Sequence, residues 1–244
     1  MKKVLLTVLA VLAVLCVSCK KEPTPTPDPG PDPGPGPEPE PTYVAPVTID
    51  GDFADWAKLD ESKMCIATCA PEHPKSALKV LKVFMDEVYV FFYFEYEDSM
   101  LPDKSDVQGH VYFDADNNEE TGGCANQWDP GSIEYMGEGH FFRSDKIASF
   151  DPAISAWVGE THATGWEGNW EDIYTSGAGI FEGNGGNGKY EMSLLREAFP
   201  ELGEVFGFGM DIQQSWDSKG ILPNAEITDT NPNGRSTLLT VKQL

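Results

Sequence analysis

Residues 78–96 read LKVLKVFMDEVYVFFYFEY, in which two runs of aliphatic, β-branched and aromatic residues flank the polar pair Asp86-Glu87. Runs of this composition and length favour β-strands, and the short polar break between them predicts a hairpin turn. The second run is almost continuously apolar, so we expect both of its faces to be buried at its centre. This hairpin predicts an antiparallel sheet as the basis of the fold.

Other strand-forming runs follow along the chain, separated by glycine, asparagine and proline. They cover residues 107–114, 132–143, 153–158, 179–182, 190–193, 205–216 and 236–241, and residues 64–68 are a further candidate. A single helix is expected over residues 194–199, where Pro200 would stop it. Regularly spaced strands with one late helix predict an all-β domain, an antiparallel β-sandwich of the jelly-roll type.

The start of the chain carries targeting features. Residues 1–18 combine a basic start, an almost entirely apolar run over residues 4–15 and a small residue directly before Cys19, which predicts a secretory signal peptide rather than a membrane span. The pattern resembles the cleavage site of bacterial lipoproteins, which implies a lipid on Cys19. The charged residues 20–22 resemble the export tags of surface-displayed lipoproteins in Bacteroides-like bacteria. These resemblances imply a lipid-anchored protein of the cell envelope, in the outer membrane and exposed at the cell surface.

A proline-rich segment follows the predicted anchor. Residues 23–41 read PTPTPDPGPDPGPGPEPEP. Proline at nearly every second position removes backbone donors and favours an extended polyproline II chain that cannot build a core. The chain therefore divides into a lipoprotein signal peptide at residues 1–18, a lipidated cysteine and disordered linker at 19–46, and a β-sandwich domain at 47–244.

The charge of the chain limits its partners. Forty acidic residues against 17 basic ones give a formal net charge of −23. This excess argues against nucleic acid and against an anionic membrane surface, because both repel an acidic protein. Membrane attachment is therefore expected only through the N-terminal lipid, and the acids suit solubility and divalent cations.

Cysteine and histidine usage leaves one question open. Cys65, Cys69 and Cys124 remain beside the lipidated cysteine in an oxidising compartment, so one disulfide could form, and the sequence does not select the pair. The four histidines are scattered and no Cys-x-x-Cys occurs, which disfavours a structural zinc site.

Three motifs in a fixed order carry a family resemblance. Residues 47–56 read VTIDGDFADW, the aromatic hairpin follows, and residues 111–123 read VYFDADNNEETGG. This order and spacing resemble the family 9 carbohydrate-binding modules and the wider DOMON-like group of β-sandwiches. The resemblance covers most of the domain and implies a β-sandwich with a structural calcium ion and a glycan-binding site.

The loop after residue 113 is the best candidate for a metal site. Aspartate and asparagine oxygens alternate as the chain leaves a strand, and a glutamate and a threonine carbonyl could complete an oxygen cage for a hard cation. The resemblance adds an acid from the next strand, and the loop does not fit an EF-hand because strands flank it. A solvated, aspartate-rich turn is the alternative. The candidate calcium ligands are Asp114, Asp116, Asn118, Glu120, Thr121 and Glu134.

Tryptophans are the candidates for glycan stacking, because a pyranose presents apolar C–H groups on its faces. The resemblance implies stacking tryptophans near residues 102–106 and 224–235, but neither segment contains an aromatic residue. Substitutes lie in polar loops and at a late strand end, and Trp166 and Trp170 are expected to act as a pair. The candidate ligand-binding residues are Trp166, Trp170, Trp128 and Trp216.

No catalytic residue is expected, because the sequence lacks a nucleophile elbow, a His-Glu-x-x-His pair and a phosphate loop. We therefore expect a non-catalytic, membrane-anchored glycan-binding module, which would work beside an envelope enzyme or transporter. One alternative is a structural or protein-docking surface lipoprotein without a small ligand. Another is a haem-binding DOMON-like domain with an axial methionine. The candidate methionines are Met85, Met136, Met192 and Met210.

Overall fold

Two antiparallel sheets carry almost all of the regular structure, so the prediction of an all-β sandwich is confirmed. The computed structural model describes residues 43–243 apart from residue 126 and residues 144–146, and Val44–Leu244 form one unit. The predicted signal peptide, the lipidation site Cys19 and the linker as far as residue 42 lie outside the described residues. Within the described part, no helix is long and apolar enough to cross a membrane.

The strands are named here in chain order. They are β1 (Cys65–Thr68), β2 (Leu78–Met85), β3 (Tyr89–Tyr96), β4 (Val107–Asp114), β5 (Tyr135–His140), β6 (Phe142–Arg143), β7 (Ile147–Ala148), β8 (Ala153–Trp157), β9 (Trp170–Tyr174), β10 (Phe181–Gly186), β11 (Lys189–Leu195), β12 (Val205–Gln214), β13 (Asp217–Leu222) and β14 (Leu239–Lys242). Single 3₁₀ turns lie at Trp56–Lys58, Glu61–Lys63, Asp98–Met100, Lys104–Asp106 and Arg196–Ala198.

The two sheets enclose an aromatic core. One sheet has the strand order β1-β2-β3-β11-β10, and the other has the order β13-β12-β4-β5-β8-β9, with β14 beside β13 on the same edge of β12. Phe92 and Phe94 point from β3 into the space between the sheets. The ring centroid of Phe92 lies 4.5 Å from that of Phe208, and the centroid of Phe94 lies 5.0 Å from that of Phe141. The strand predicted to be buried on both faces therefore supplies the centre of the sandwich.

The other face of β3 is covered by the segment that precedes β1. Trp56 packs on Tyr93 with its ring centroid 5.5 Å away, and its indole N–H donates a 2.9 Å hydrogen bond to Oε2 of Glu191 on β11. The second carboxylate oxygen of Glu191 accepts the backbone N–H groups of Asp50 and Gly51. The motif at residues 47–56 is thus docked on the outer face of this sheet by one buried carboxylate.

Several predicted boundaries need correction. The helix expected over residues 194–199 is wrong, because the first two residues belong to β11 and only Arg196–Ala198 forms a 3₁₀ turn. The strand expected over residues 205–216 ends at Gln214, and β13 begins after a two-residue turn. Strands β9 and β13 were not predicted: both lie at an edge of the larger sheet, β9 is a short and mostly exposed strand, and β13 carries more polar than apolar residues.

Candidate functional site

Strand β4 places a row of polar side chains on the outer face of the larger sheet. Val111 and Phe113 alternate into the core, so His110, Tyr112 and Asp114 point to the other side. In the antiparallel register His110 lies opposite Asp211 of β12 and opposite Glu138 of β5. Three adjacent strands therefore contribute a carboxyl, an imidazole and a second carboxyl to one line across the sheet.

The imidazole of His110, at the centre of this line, has one ring nitrogen with a hydrogen-bond partner and one without in the described part of the chain. Nε2 of His110 lies 2.8 Å from Oε2 of Glu138, whereas Nδ1 is buried without a hydrogen-bond partner among the described residues. Asp211 accepts hydrogen bonds from Ser218 Oγ at 2.6 Å and from Gln213 Nε2 at 2.7 Å. Burial raises the pKa of Asp211 above its ordinary value. We call the line of Asp211, His110 and Glu138 the floor. Asp211 is buried and bonded within the protein, whereas Glu138 is the more exposed of its two carboxyl groups.

Two stacked tryptophans stand at one side of this floor. The rings of Trp166 and Trp170 lie 5.9 Å apart at 25°, and Trp170 meets the edge of Trp157 at 5.2 Å. Trp170 opens β9 and is directly opposite Trp157 of β8 in the register, so both are fixed by the sheet. Trp166 remains 55% exposed. The sheet-bound rings therefore support Trp166 and present it to solvent.

A third tryptophan stands on the other side, at the tip of the β12–β13 hairpin. Ser215 and Trp216 have φ values of 54° and 65°, the left-handed pair that a tight two-residue hairpin requires. A bulky residue rarely adopts this conformation, and Trp216 is 62% exposed in it. Ser215 Oγ donates to Asp106 Oδ2 at 2.5 Å, which anchors the tip to the segment of residues 102–106. The hairpin therefore holds an exposed indole beside a segment that has no aromatic residue of its own.

One cavity of about 320 Å³, which we call the aromatic cleft, is lined by Trp166, Trp170 and Trp216. Its walls come from the two opposite halves of the sheet, with Trp216 beyond β12 and Trp166 before β9. The ring of Trp216 lies 6.3 Å from that of His110 on the floor. The residues on which its chemistry depends are His110, Gln127, Glu138, Trp166, Trp170 and Trp216.

The sequence analysis identified the walls of this cleft but not its floor. Trp166, Trp170 and Trp216 were candidates and come together here. Trp128 is only 2% exposed, packs against Tyr112 with the ring planes tilted by 58°, and donates its indole N–H to the carbonyl of Pro223, so it has no free face for a ligand. His110 and Glu138 were not predicted. The alternation of polar residues along β4 was the signal that could have found His110.

The predicted calcium loop brings three carboxylates together in an acidic cluster of Asp114, Asp116 and Glu134. One oxygen from each lies within 4.8 Å of the others. Glu134 directly precedes β5, and its Oε2 accepts the backbone N–H of Ala115 at 2.8 Å. Its Oε1 is buried without a hydrogen-bond partner among the described residues. The cluster therefore concentrates negative charge around an oxygen that lacks a donor.

The other predicted ligands shape the loop around the cluster. The Asn118 side-chain oxygen accepts the backbone N–H of Glu120 at 3.1 Å, and Thr121 Oγ1 donates to Asp116 at 3.1 Å. The carboxylate of Glu120 is exposed and lies outside the cluster. Gly122 has φ of 66°, and a Cβ there would stand 2.5 Å from Oε1 of Glu134. A glycine at this position allows the Glu134 carboxylate to approach the loop.

The electrostatics of the acidic cluster suit a bound cation. Burial raises the pKa of Glu134 to about 7, and burial also raises the pKa of Asp114. Converging carboxylates are costly when partly desolvated, and a divalent cation removes that cost by direct coordination. Three carboxylate oxygens within 4.8 Å of one another are the kind of ligand set that a hard ion such as calcium takes, with water completing its shell.

The metal-free protein should show the titration of Glu134. Its pKa is about 7 in the folded chain against an ordinary value of 4.5, so the unfolded chain loses this proton first. The free energy of unfolding in the presence of a chelator is therefore expected to fall as the pH rises from 4.5 to about 7. Urea titrations of wild type and Glu134→Gln at several pH values test this, since the variant should lack that part of the decline. Parallel profiles for the two proteins would contradict it.

The remaining candidates are dispersed over the fold. Met85, Met192 and Met210 are buried within the sandwich core, whereas Met136 lies on the opposite face of the larger sheet, in the aromatic cleft. Cys65, Cys69 and Cys124 are free thiols, and Cys124 also lines the cleft. The four methionines thus do not share one site, and these cysteines are unbridged.

Fold and site together define a β-sandwich with an aromatic cleft on the outer face of one sheet and an acidic cluster at the end of β4 and start of β5. Comparison of the sequence with protein-family models and with functionally characterised proteins finds no significant match. The function is therefore argued from the geometry of these two sites.

Proposed function

We propose that the protein is a non-catalytic glycan-binding module, and that the aromatic cleft is its binding site. The observation that supports this proposal is the arrangement of Trp166 and Trp216, two largely exposed indoles at opposite sides of one cavity with a polar floor. Exposed aromatic rings around a concave, partly polar site mark ligand binding more often than packing.

The chemistry of the cleft complements a sugar ring. A pyranose ring offers C–H groups to an indole face and hydroxyl groups around its rim. The Glu138 carboxylate and the Gln127 amide line the cavity and can accept and donate hydrogen bonds at that rim, while the buried His110 imidazole orients Glu138. A ring stacked on Trp166 could therefore place its hydroxyls against the line of polar groups that crosses the sheet.

The direct test is titration calorimetry of the purified protein against a panel of oligosaccharides that differ in sugar and charge. The proposal expects saturable heat with one structural class and none with the others. The absence of binding heat with every member of the panel would contradict glycan binding and would favour a protein-docking role for the same exposed rings.

We further propose that the acidic cluster binds a structural calcium ion. Millimolar calcium, at about a hundred times its Kd, should stabilise the protein by about 2.7 kcal/mol. For a domain of this size that corresponds to a rise in Tm of about 5–10 °C. Differential scanning calorimetry with calcium and with a chelator measures the shift.

Two variants make the calcium test specific. Glu134→Gln keeps the shape of the side chain but removes its charge, so it should fold without calcium and lose the calcium-dependent shift. Glu87→Gln, an exposed acid of the turn between β2 and β3 that lies outside the cluster and its neighbouring cavity, should retain it. Equal Tm values of the wild type with calcium and with chelator would end the calcium proposal.

The proposed cellular setting is the bacterial envelope, with the domain held on a lipid at Cys19. It rests on the sequence of residues 1–46 alone. Metabolic labelling with a fatty acid tests it, because Cys19→Ser should abolish the label and release the protein from membranes. Labelling that persists in the variant would contradict lipidation at this residue.

A further inference from the structure

A second and larger cavity of about 700 Å³, the basic pocket, adjoins the aromatic cleft. Gln127 lines both cavities, and Trp216 of the cleft is followed on β13 by Ser218 and Lys219 of the pocket. Ser218 also donates its hydroxyl hydrogen bond to Asp211, which lies opposite His110 in the sheet. A ligand chain that leaves the aromatic cleft past Trp216 would therefore enter the basic pocket.

The pocket is distinguished by its charge. Lys75, Lys219 and Arg235 line it, while its acidic lining residue is the exposed Glu72. Such an excess of basic over acidic residues around one cavity is unusual in a chain with 17 basic and 40 acidic residues. Among the described residues neither Lys75 nor Arg235 forms an ion pair, and Lys219 has only a 3.8 Å contact with the exposed Asp217. The pocket therefore presents three cations that the protein itself leaves largely unneutralised.

The fold brings these cations together from three separate segments. Gly220 allows β13 to pack closely against the segment before β2, because a Cβ there would stand 2.4 Å from Oγ of Ser76. The backbone N–H of Ala77 also donates to the carbonyl of Lys219. The backbone of Arg235 is held by Asn231, whose side chain accepts its N–H at 3.0 Å and donates to its carbonyl at 2.7 Å. The packing thus fixes the backbone from which Lys219 and Arg235 extend, and Lys75 directly precedes the packed Ser76.

We propose that the basic pocket binds an anionic substituent, a carboxylate or a sulfate, on a sugar residue next to the one stacked in the aromatic cleft. The ligand class is then an acidic glycan. Lysine and arginine side chains pair with such groups through charge-assisted hydrogen bonds, and a cationic patch also attracts the anion against an otherwise repulsive acidic surface. The inference rests on the proposed function, because it assigns the ligand of the same continuous site.

The test compares matched oligosaccharides by titration calorimetry of the purified protein. Oligogalacturonides and their methyl esters differ in the carboxylate charge and one small methyl group per ester, and sulfated galactan fragments with their desulfated forms differ only in the sulfate. One acidic member is expected to bind at least about tenfold more tightly than its neutral counterpart. Comparison of the two pairs shows which anion the pocket takes.

The variant Lys219→Gln with Arg235→Gln should abolish this preference while keeping the affinity for the neutral member. The charge-matched control is Lys63→Gln with Lys242→Gln, two exposed lysines outside both cavities, and it should keep the preference. Equal affinity for acidic and neutral members, with binding still dependent on the tryptophans, would overturn this inference and leave the proposed function intact. Absence of binding to all four glycans would overturn this inference, and absence of binding to every member of the wider oligosaccharide panel as well would overturn the proposed function.

Discussion

Glu191→Ala is expected to lower the free energy of unfolding by about 2–4 kcal/mol. Glu191 is fully buried and accepts three N–H groups, from the indole of Trp56 and from the backbone at Asp50 and Gly51. Alanine would leave the buried indole donor without an acceptor and free the turn that docks the N-terminal segment. Because this carboxylate is the polar anchor of residues 47–56, few other single polar changes should cost as much.

Urea denaturation of wild type and variant measures this loss. Glu182→Ala, an exposed acid on the adjacent strand β10, is the matched control and should change stability by less than about 0.5 kcal/mol. Trp56→Phe removes the indole N–H together with part of the buried ring, so both single changes include the loss of the same hydrogen bond. The double variant with Glu191→Ala should therefore be less destabilised than the sum of the two changes. Strict additivity would show that Glu191 and Trp56 are not energetically coupled.

Loss of glycan binding is the largest functional effect that we expect, and it should follow from Trp166→Ala combined with Trp216→Ala. Removing one exposed aromatic anchor from the centre of a site costs about 2 kcal/mol, which is roughly 30-fold in Kd. The two rings stand on opposite sides of the cleft, so removing both should abolish measurable binding. Tm should change little, because each ring is more than half exposed.

Calorimetric titration with the glycan found for the wild type gives the affinities. Ile66→Ala is a suitable control, since this residue is an exposed apolar side chain on the other sheet and should leave affinity unchanged. Unaltered affinity of the double tryptophan variant would refute the assignment of the cleft. A large drop in Tm would instead identify the rings as packing elements.

The local pattern of apolar and polar residues was sufficient to predict most of the strands. The bounds of β2 and β4 agree with the predicted runs to the residue, and β3 begins one residue later than the predicted strand. These are strands with strong apolar content, in which propensity and burial favour the same structure. The exposed strand β9 and the hairpin partner β13 lacked that signal. The single predicted helix also failed, because pairing of β11 with β3 and β10 extended the strand into it.

The candidate sites also contain some residues that the sequence predicted and others that it did not. The spacing of Asp114 and Asp116 pointed to the acidic cluster, since one residue ends β4 and the other lies in the loop directly after it. Trp166 and Trp170 were likewise expected as a pair, because both lie in one polar stretch, GWEGNWED. The floor of the cleft was not predictable, because His110, Glu138 and Asp211 meet only through the register of three strands.

By itself, the sequence determined the all-β class, the aromatic hairpin at its centre, the acidic loop and the export and lipidation signals that we propose for residues 1–19. Each of these depends on residues close together in the chain, where propensity, spacing and charge act directly. Only the tertiary structure decided that Trp216 faces Trp166 and that Lys75, Lys219 and Arg235 share one pocket. Such groups are distant in sequence, and their proximity follows from strand register and close packing, which no local pattern encodes.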